Sequence, residues 1–465
     1  MSITFEEAVR VTGARVVEEQ RRPRELRVTT DTRTLRSGDT FLALHGGRFD
    51  GHDFAAQAVA KGASALVLDR AEAVPEGVAV LLVPDTRTAY MALAGAARRH
   101  FSADVIAITG STGKTTVKVL LKQLFTAAGT RAIASPANEN NEIGVSKLLL
   151  AASEDRYDVV VVEIGARYPD DVAKLAAVAL PDVGVLTNIG EAHLEIMGSR
   201  EQLEEAKWSL FSTGARSVLN LDDEASRRRA PSLERAPAWF LAAQTLPVPL
   251  PAGRLCAVLG TQTLLVADGM NRKAEHAIDV RLPGAYNRSN LAAAIAAAIE
   301  VGSFDDAERR EKILAAIGDL VLPKGRYERI PLAHGLRLIY DAYNANPSGT
   351  IAALEAFAQE GASRRIAVLS SMAELGVESE ALHERVGERA AATADWLLVG
   401  GEYAQALARG ARRGGLAPER IVVFGSNAEA ADWLREHARH DDLVLLKGSR
   451  KYQLEEIVER LRAAS

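Results

Sequence analysis

The chain has 465 residues, 48% of them hydrophobic and 25% charged, with a formal net charge of −5 and one cysteine, Cys256. Cores stop growing beyond roughly 250 residues, so this length predicts two to four domains, three being expected. An acidic balance excludes a generic nucleic-acid binder, which needs a cationic surface, and a lone cysteine excludes an intrachain disulfide and a cysteine-rich zinc site.

From the start of the chain, Glu6, Glu7, Arg10, Glu18 and Glu19 interrupt any apolar run, which predicts no signal peptide. No later stretch reaches the roughly 18 apolar residues that span a bilayer, so a soluble, cytoplasmic protein is expected. Val105–Ile108, Val159–Val162 and Val183–Leu186 are continuous apolar runs, as in strands buried on both faces, and are expected in one central sheet. Leu338–Tyr340, Ile366–Leu369, Trp396–Val399, Ile421–Phe424 and Leu443–Leu446 predict a second, doubly wound sheet. The class is α/β. Between the two sets, Arg227, Arg228, Arg229, Pro231, Pro237, Pro247, Pro249 and Pro251 predict a loop-rich excursion with a solvated arginine surface.

Thr109-Gly110-Ser111-Thr112-Gly113-Lys114-Thr115-Thr116 follows the first run and opens a segment in which Val117, Leu120, Leu121 and Leu124 share one helical face. Strand, glycine loop and helix together predict a phosphate site. Gly110 and Gly113 permit converging backbone N–H groups, Lys114 supplies a point charge for the β/γ-phosphates, and the Thr115 hydroxyl is placed for magnesium. The plain alternative is a turn without a ligand.

Glu163 ends the run Val159–Val162 and is expected at the strand's carboxyl edge, as a magnesium ligand or a solvated acid. His193 follows Leu186-Thr187-Asn188-Ile189-Gly190, where an imidazole binds a metal, orients a carboxylate or simply fills structure. Lys207, in Glu204-Glu205-Ala206-Lys207-Trp208, reads by itself as a surface helix lysine or a functional one.

Together these elements resemble the Mur ligases, whose short phosphate loop is similar to Thr109–Thr116 and accounts for Ile108 where a general phosphate loop has its first glycine. Three blocks are similar to the branch of that family that adds D-alanyl-D-alanine: Asn138 to Val145, Glu163 to Arg167, and Asp341 to Pro347. Asp31-Thr32-Arg33, Gly47 to Phe54, and Lys447-Gly448-Ser449-Arg450 match further.

The resemblance implies a three-domain α/β architecture. Residues 1–84 would hold the uridine nucleotide, 85–322 would form the central phosphate-loop ATPase sheet, and 323–465 would form a Rossmann-like ligase domain. It implies ATP and magnesium as cofactors and UDP-N-acetylmuramoyl-tripeptide and D-alanyl-D-alanine as substrates. The setting would be peptidoglycan precursor synthesis, hence cell wall biogenesis, shape and division, with a monomer expected and neither nucleic acid nor membrane as partner.

Gly110, Ser111, Thr112, Gly113, Lys114, Thr115, Thr116, Asn287, Asn290, Arg326 and Asp341 would contact ATP. Thr115, Glu163, His193 and Lys207, the last as a carbamate formed with carbon dioxide, would serve the metal. Lys114, Glu163, His193 and Lys207 would carry catalysis, and Thr32, Arg33, Asn140, Asn141, Asn344 and Asn346 would bind substrate.

The chain departs from the family pattern at Tyr286 for histidine, Thr32 for serine, Ser146 for proline, and Ser370-Ser371 for Gly-Asp. The rival expectations are a Mur-type ligase adding a diamino acid, a phosphate-loop motor or regulatory ATPase, and an inactive nucleotide-binding module.

Overall fold

Alternate residues of the central strands face two different cores, which is why these runs are apolar without a break. In the strand Asp104–Thr109, Val105 and Ala107 enter one cluster while Ile106 and Ile108 enter the other, and Val160 and Val162 part from Val159 and Val161 in the same way. The computed structural model describes residues 3–17, 22–47, 49–70, 77–191, 194–246, 252–268, 272–332 and 335–463.

Among the described residues the central sheet has nine strands, in the spatial order 272–277, 263–268, 254–259, 238–243, 216–220, 183–186, 104–109, 159–163 and 132–134. The strands from Ala132 to Ala243 and Arg254–Leu259 run parallel, and Thr263–Asp268 and Arg272–Ala277 add an antiparallel extension. Strand Asp104–Thr109 lies between Val159–Glu163 and Val183–Leu186, so the winding reverses beside its carboxyl end. That switch point is where open α/β sheets bind ligands.

The C-terminal sheet has six strands among the described residues, in the order 328–331, 337–340, 442–447, 364–370, 396–400 and 421–424, with only the first antiparallel. Its two faces bury separate cores, one around Phe357, Leu369 and Leu407 and one around Val368, Leu434 and Ile457. All five apolar runs expected in this sheet are strands of it. A further strand, Glu328–Pro331, precedes Arg337–Tyr340, so Asp341 follows the second strand of this sheet in chain order.

Near the N-terminus, strands 15–16, 79–82, 65–68, 40–42 and 28–29 form a five-stranded sheet among the described residues. Helix Thr86–His100 follows, capped by Asp85, and packs against helices Phe5–Thr12, Glu142–Glu154 and Asp171–Ala179. Its Tyr90, Leu93 and Ala97 share one continuous core with Ile3, Leu81, Leu149 and Leu175.

The expected loop-rich excursion is replaced by regular structure. Asp223 caps a short helix, Glu224–Arg229, by accepting from the Ser226 N–H, and Ala238–Ala243 is a central-sheet strand whose Trp239 and Phe240 are buried. Pro231 sits in a single 3-10 turn and Pro237 just before the strand, positions where a missing N–H costs little. Pro247, Pro249 and Pro251 lie outside the described residues. Nor are the arginines merely solvated: Arg228 pairs with Glu204, Arg229 pairs with Glu205 at 2.6 Å, and the Arg229 guanidinium lies 5.0 Å from the Trp208 ring centroid. No helix among the described residues is long and apolar enough to cross a membrane.

Candidate active site

The phosphate loop opens from the switch point. Gly110 has φ +145°, and a Cβ there would fall 1.9 Å from Thr187 Oγ1; Gly113 has φ +86°, and a Cβ would fall 2.4 Å from Asn290 Oδ1. Both glycines are therefore required by close approach as well as by backbone conformation. Asn188, at the end of the neighbouring strand, accepts the Thr112 N–H at 2.9 Å, and Ser111 Oγ donates to the Gly190 carbonyl at 3.0 Å. The helix Lys114–Ala127 then buries Val117, Leu120, Leu121 and Leu124 completely in the second core, which aims its N-terminus at the loop.

Lys114 begins this helix, half-buried, and its ammonium donates to the Gly110 carbonyl at 2.6 Å. It is not an exposed loop lysine. Burial lowers its pKa, with Glu163 opposing and Arg326 adding to the shift.

Glu163 stands at the carboxyl end of its strand with 1% exposure, which removes the solvated-acid reading. Its Oε1 accepts from Thr115 Oγ1 at 3.1 Å and from Asn140 Nδ2 at 3.0 Å, while Oε2 pairs with Lys118 Nζ at 2.8 Å. Lys118 also donates to the Ala137 carbonyl, holding the loop that carries Asn140. Lys118 was not foreseen, although a lysine one turn beyond Lys114, between the buried Val117 and Leu120, is a polar residue on an otherwise apolar face. Ser135 was missed as well; its hydroxyl accepts the Glu163 N–H at 3.1 Å.

The surface-lysine reading of Lys207 is overturned. The side chain is 1% exposed, and Nζ has no hydrogen-bond partner among the described residues. Its pKa is held well below the ordinary lysine value, first by burial and then by the nearby Lys114, with Asp223 opposing. The Arg229–Trp208 stack and the Arg228 and Arg229 ion pairs brace the helix that carries it. His193 lies outside the described residues.

Oxygen donors suit a hard divalent cation, and Glu163 and Thr115 supply them side by side. A plain ammonium at Lys207 does not suit such an ion, whereas an anionic carbamate on that buried nitrogen does. Glu163→Gln is expected to raise the magnesium concentration for half-maximal activity by about tenfold or more, because an amide keeps the shape and loses the anionic ligand. The same change strands the Lys118 ammonium, and breaking a buried pair costs about 3–5 kcal/mol, so metal-free melting should also fall. An unchanged magnesium titration would remove Glu163 from the metal site.

Asn287 and Asn290, on helix Gly284–Glu300, are buried beside the loop; Asn287 Nδ2 donates to the Pro283 carbonyl at 2.9 Å, and Asn290 Oδ1 is the atom that crowds Gly113. Tyr286 on the same helix meets the Tyr327 ring edge-on, with centroids 6.3 Å apart. Burial pushes its phenol pKa well above the ordinary value, so it is neutral. Asp341 Oδ1 accepts the Tyr327 N–H at 3.2 Å, and Lys447, from the matching block Lys447 to Arg450, reaches Asp341 Oδ2 at 3.1 Å and the Asn344 carbonyl at 2.9 Å. Arg326 lies over the Tyr343 ring and lines, with Thr115, Lys118 and Arg450, a cleft of about 670 Å³ between the central and C-terminal sheets.

The C-terminal part also meets the phosphate loop directly. Asn346 caps helix Pro347–Gln359 by accepting the Gly349 N–H at 2.8 Å, and a Cβ on Gly349 would lie 3.2 Å from Thr112 Cγ2. Asn141 plays the same capping part for helix Glu142–Glu154. Thr32 is buried and donates to Gln57 Oε1 at 2.7 Å, while Arg33, with its side chain 87% exposed, pairs with Asp31. These two lie in the N-terminal part, which joins the central sheet through Arg87, bonded to the His45 carbonyl at 2.9 Å and paired with Glu142 at 3.3 Å.

A phosphate loop at the switch point of one sheet, facing the helix-capped carboxyl edge of a second, defines a multidomain phosphate-loop nucleotide-binding protein. The chain matches the Mur ligase middle domain over residues 108–298, the Mur ligase glutamate ligase domain over 325–450, and the Mur ligase family catalytic domain over 27–99. It is 34% identical to the UDP-N-acetylmuramoyl-tripeptide--D-alanyl-D-alanine ligase of Synechocystis sp. over 443 residues, 94% of this chain and 92% of that protein. Among solved structures, MurF from Acinetobacter baumannii superposes with a TM-score of 0.83 at 26% identity, covering 100% of this chain and 99% of the other. MurF from Thermotoga maritima in complex with ADP gives 0.77 at 26% identity, covering 94% and 97%. The chain belongs to the Mur ligase family.

Proposed function

We propose that this chain joins D-alanyl-D-alanine to UDP-N-acetylmuramoyl-tripeptide with conversion of ATP to ADP and phosphate, in the synthesis of peptidoglycan precursors. The observation that carries the chemistry is the juxtaposition of the phosphate loop and buried Glu163 with the carboxyl edge of the C-terminal sheet. The relatives' printed name supplies the substrate pair. Residues 1–84 are assigned to the uridine nucleotide, through Thr32 and Arg33, 85–322 to ATP, and 323–465 to the dipeptide, through Asn344 and Asn346. The protein acts as a cytoplasmic monomer.

A carboxylate resists attack because the nucleophile approaches an anion and must expel oxide. A terminal carboxylate oxygen of the tripeptide therefore takes the γ-phosphoryl group as the bond to ADP breaks, giving an acyl phosphate. The dipeptide amine forms the C–N bond, loses a proton, and phosphate departs with the C–O electron pair. Lys114 neutralises charge on the transferring group, and the loop N–H groups cradle it. Glu163, Thr115, His193 and a carbamoylated Lys207 would hold magnesium, which supplies further charge neutralisation when bound. Asn140 orients Glu163, and apposition of the C-terminal sheet excludes water that would hydrolyse the acyl phosphate.

Asp341→Ala is expected to weaken ATP binding far more than binding of the UDP-linked substrate, since Asp341 orders Tyr327 and Lys447 beside Arg326. Equal losses by calorimetry would contradict that assignment. The whole reading is tested by phosphate release with ATP and UDP-N-acetylmuramoyl-tripeptide, with and without D-alanyl-D-alanine. Release that depends on the dipeptide supports it. Equal release without either substrate would indicate a phosphate-loop ATPase, and preference for a diamino acid would indicate another branch of the family.

A further inference from the structure

The segment Ser370–Gly376 links the C-terminal sheet to the central part. It leaves the carboxyl end of strand Arg364–Ser370 and reaches the central part, where the Glu195 N–H donates to the Glu374 carbonyl at 3.3 Å and a Cβ on Gly376 would lie 3.3 Å from Glu195 Cα. Consecutive residues of the segment are fixed from the C-terminal side: Ser371 Oγ accepts the Tyr403 N–H at 2.8 Å, and the Ala373 N–H donates to Ser449 Oγ at 2.9 Å. Between them, the Met372 N–H donates to His383 Nε2 at 2.8 Å.

His383 sits on helix Ser379–Ala391 with 0% exposure, its ring stacked on Tyr403 at 4.6 Å between centroids and 21° between planes. Its Nδ1 lies 2.6 Å from the Ser379 carbonyl, which only accepts, so the proton is on Nδ1 and Nε2 keeps its lone pair for Met372. Burial lowers the ring's pKa, with the Ser379 carbonyl and Glu402 opposing, which is consistent with a neutral imidazole. Both nitrogens are thus committed to backbone, one on its own helix and one on the segment.

We propose that His383 is a positioning residue for the amine substrate, setting the Ser371–Glu374 backbone at the carboxyl edge of the C-terminal sheet, where that sheet meets the central part. This rests on the assignment of the C-terminal sheet to the dipeptide. The phosphate loop meets the same carboxyl edge, Thr112 lying against Gly349, so an amine attacking an acyl phosphate there approaches over the edge on which this segment lies. His383 touches no substrate; it acts through the Met372 N–H.

The test is steady-state ligation by wild type, His383→Phe and His383→Gln, with the KM of each substrate measured separately. Phenylalanine keeps the ring and its stacking and leaves the Met372 N–H without an acceptor, whereas glutamine retains an acceptor near the Nε2 position. The expected result is a dipeptide KM raised about tenfold or more in His383→Phe, with the KM values for ATP and the UDP-linked tripeptide within about twofold of wild type, and substantial recovery in His383→Gln.

A dipeptide KM within about twofold of wild type in His383→Phe would overturn the proposal. So would equal KM increases for all three substrates, or identical behaviour of the two variants. If His383→Phe does not fold, His383→Gln alone decides, because a dipeptide KM raised as much as about tenfold despite the retained acceptor would also overturn it. Failure of the wild type to consume D-alanyl-D-alanine at all would refute the substrate assignment instead, and is read before either variant is compared.

Discussion

Lys207→Ala is expected to be nearly inactive, with loss of roughly a hundredfold or more in phosphate release, and to recover in part when formate or acetate is added. The argument starts from burial. An ammonium with 1% exposure and no hydrogen-bond partner among the described residues, facing Lys114, is costly to keep charged. The same surroundings favour the neutral amine, the form that attacks carbon dioxide to give a carbamate and release a proton. The product is an anion with two oxygens suited to a hard cation. Removing bicarbonate from the wild type should therefore lower activity, and restoring it should recover activity, while Lys207→Ala should respond to neither. Normal activity in Lys207→Ala would return the lysine to a structural role.

Lys114→Ala is expected to abolish ligation, by about a hundredfold to a thousandfold, with melting within a few degrees of wild type. Alanine is the best helix former, and the position opens helix Lys114–Ala127, so the backbone loses nothing. The bond from Nζ to the Gly110 carbonyl is lost, but that contact is a single charge-assisted hydrogen bond of about 1.5–3 kcal/mol. What disappears is the charge opposite the transferring phosphoryl group. Retention of more than about a tenth of the activity by a well-folded variant would remove Lys114 from transition-state stabilisation.

The parts of the fold that were legible in the sequence are those whose signal is local. Val159–Val162 reads as a doubly buried strand because both of its faces are covered, and Thr109–Thr116 reads as a phosphate site because strand, turn and helix follow one another directly. Thr263–Asp268 mixes buried and half-buried positions, and its membership of the sheet depends on antiparallel pairing with neighbours, so the run carries a weaker signal. The short strands near the N-terminus, Arg15–Val16 among them, are likewise defined by partners distant in the chain.

The site divides on the same line. Glu163 announced itself by ending an apolar run, but Lys207 is buried with Lys114 and Asp223 brought near it from separate segments, which its own helix does not reveal. Asn141 and Asn346 stood out as motif residues, and their side-chain oxygens turn out to begin helices. The arginine run gave no hint of its acidic partners, because Glu204 and Glu205 lie about two dozen residues earlier on another helix.

Helix Thr86–His100 bears on how the chain can come apart. It belongs to neither neighbouring sheet, yet its apolar side fills a core to which residues from Ile3 to Leu175 contribute. Severing the chain near residue 84 would expose Leu93 and Ala97 on one fragment and Phe5 and Leu81 on the other. The N-terminal and central portions are therefore expected to unfold as one cooperative unit, and a proteolytic fragment of either should be insoluble or molten. The C-terminal sheet, with two cores of its own, keeps its apolar interior when the chain is cut there.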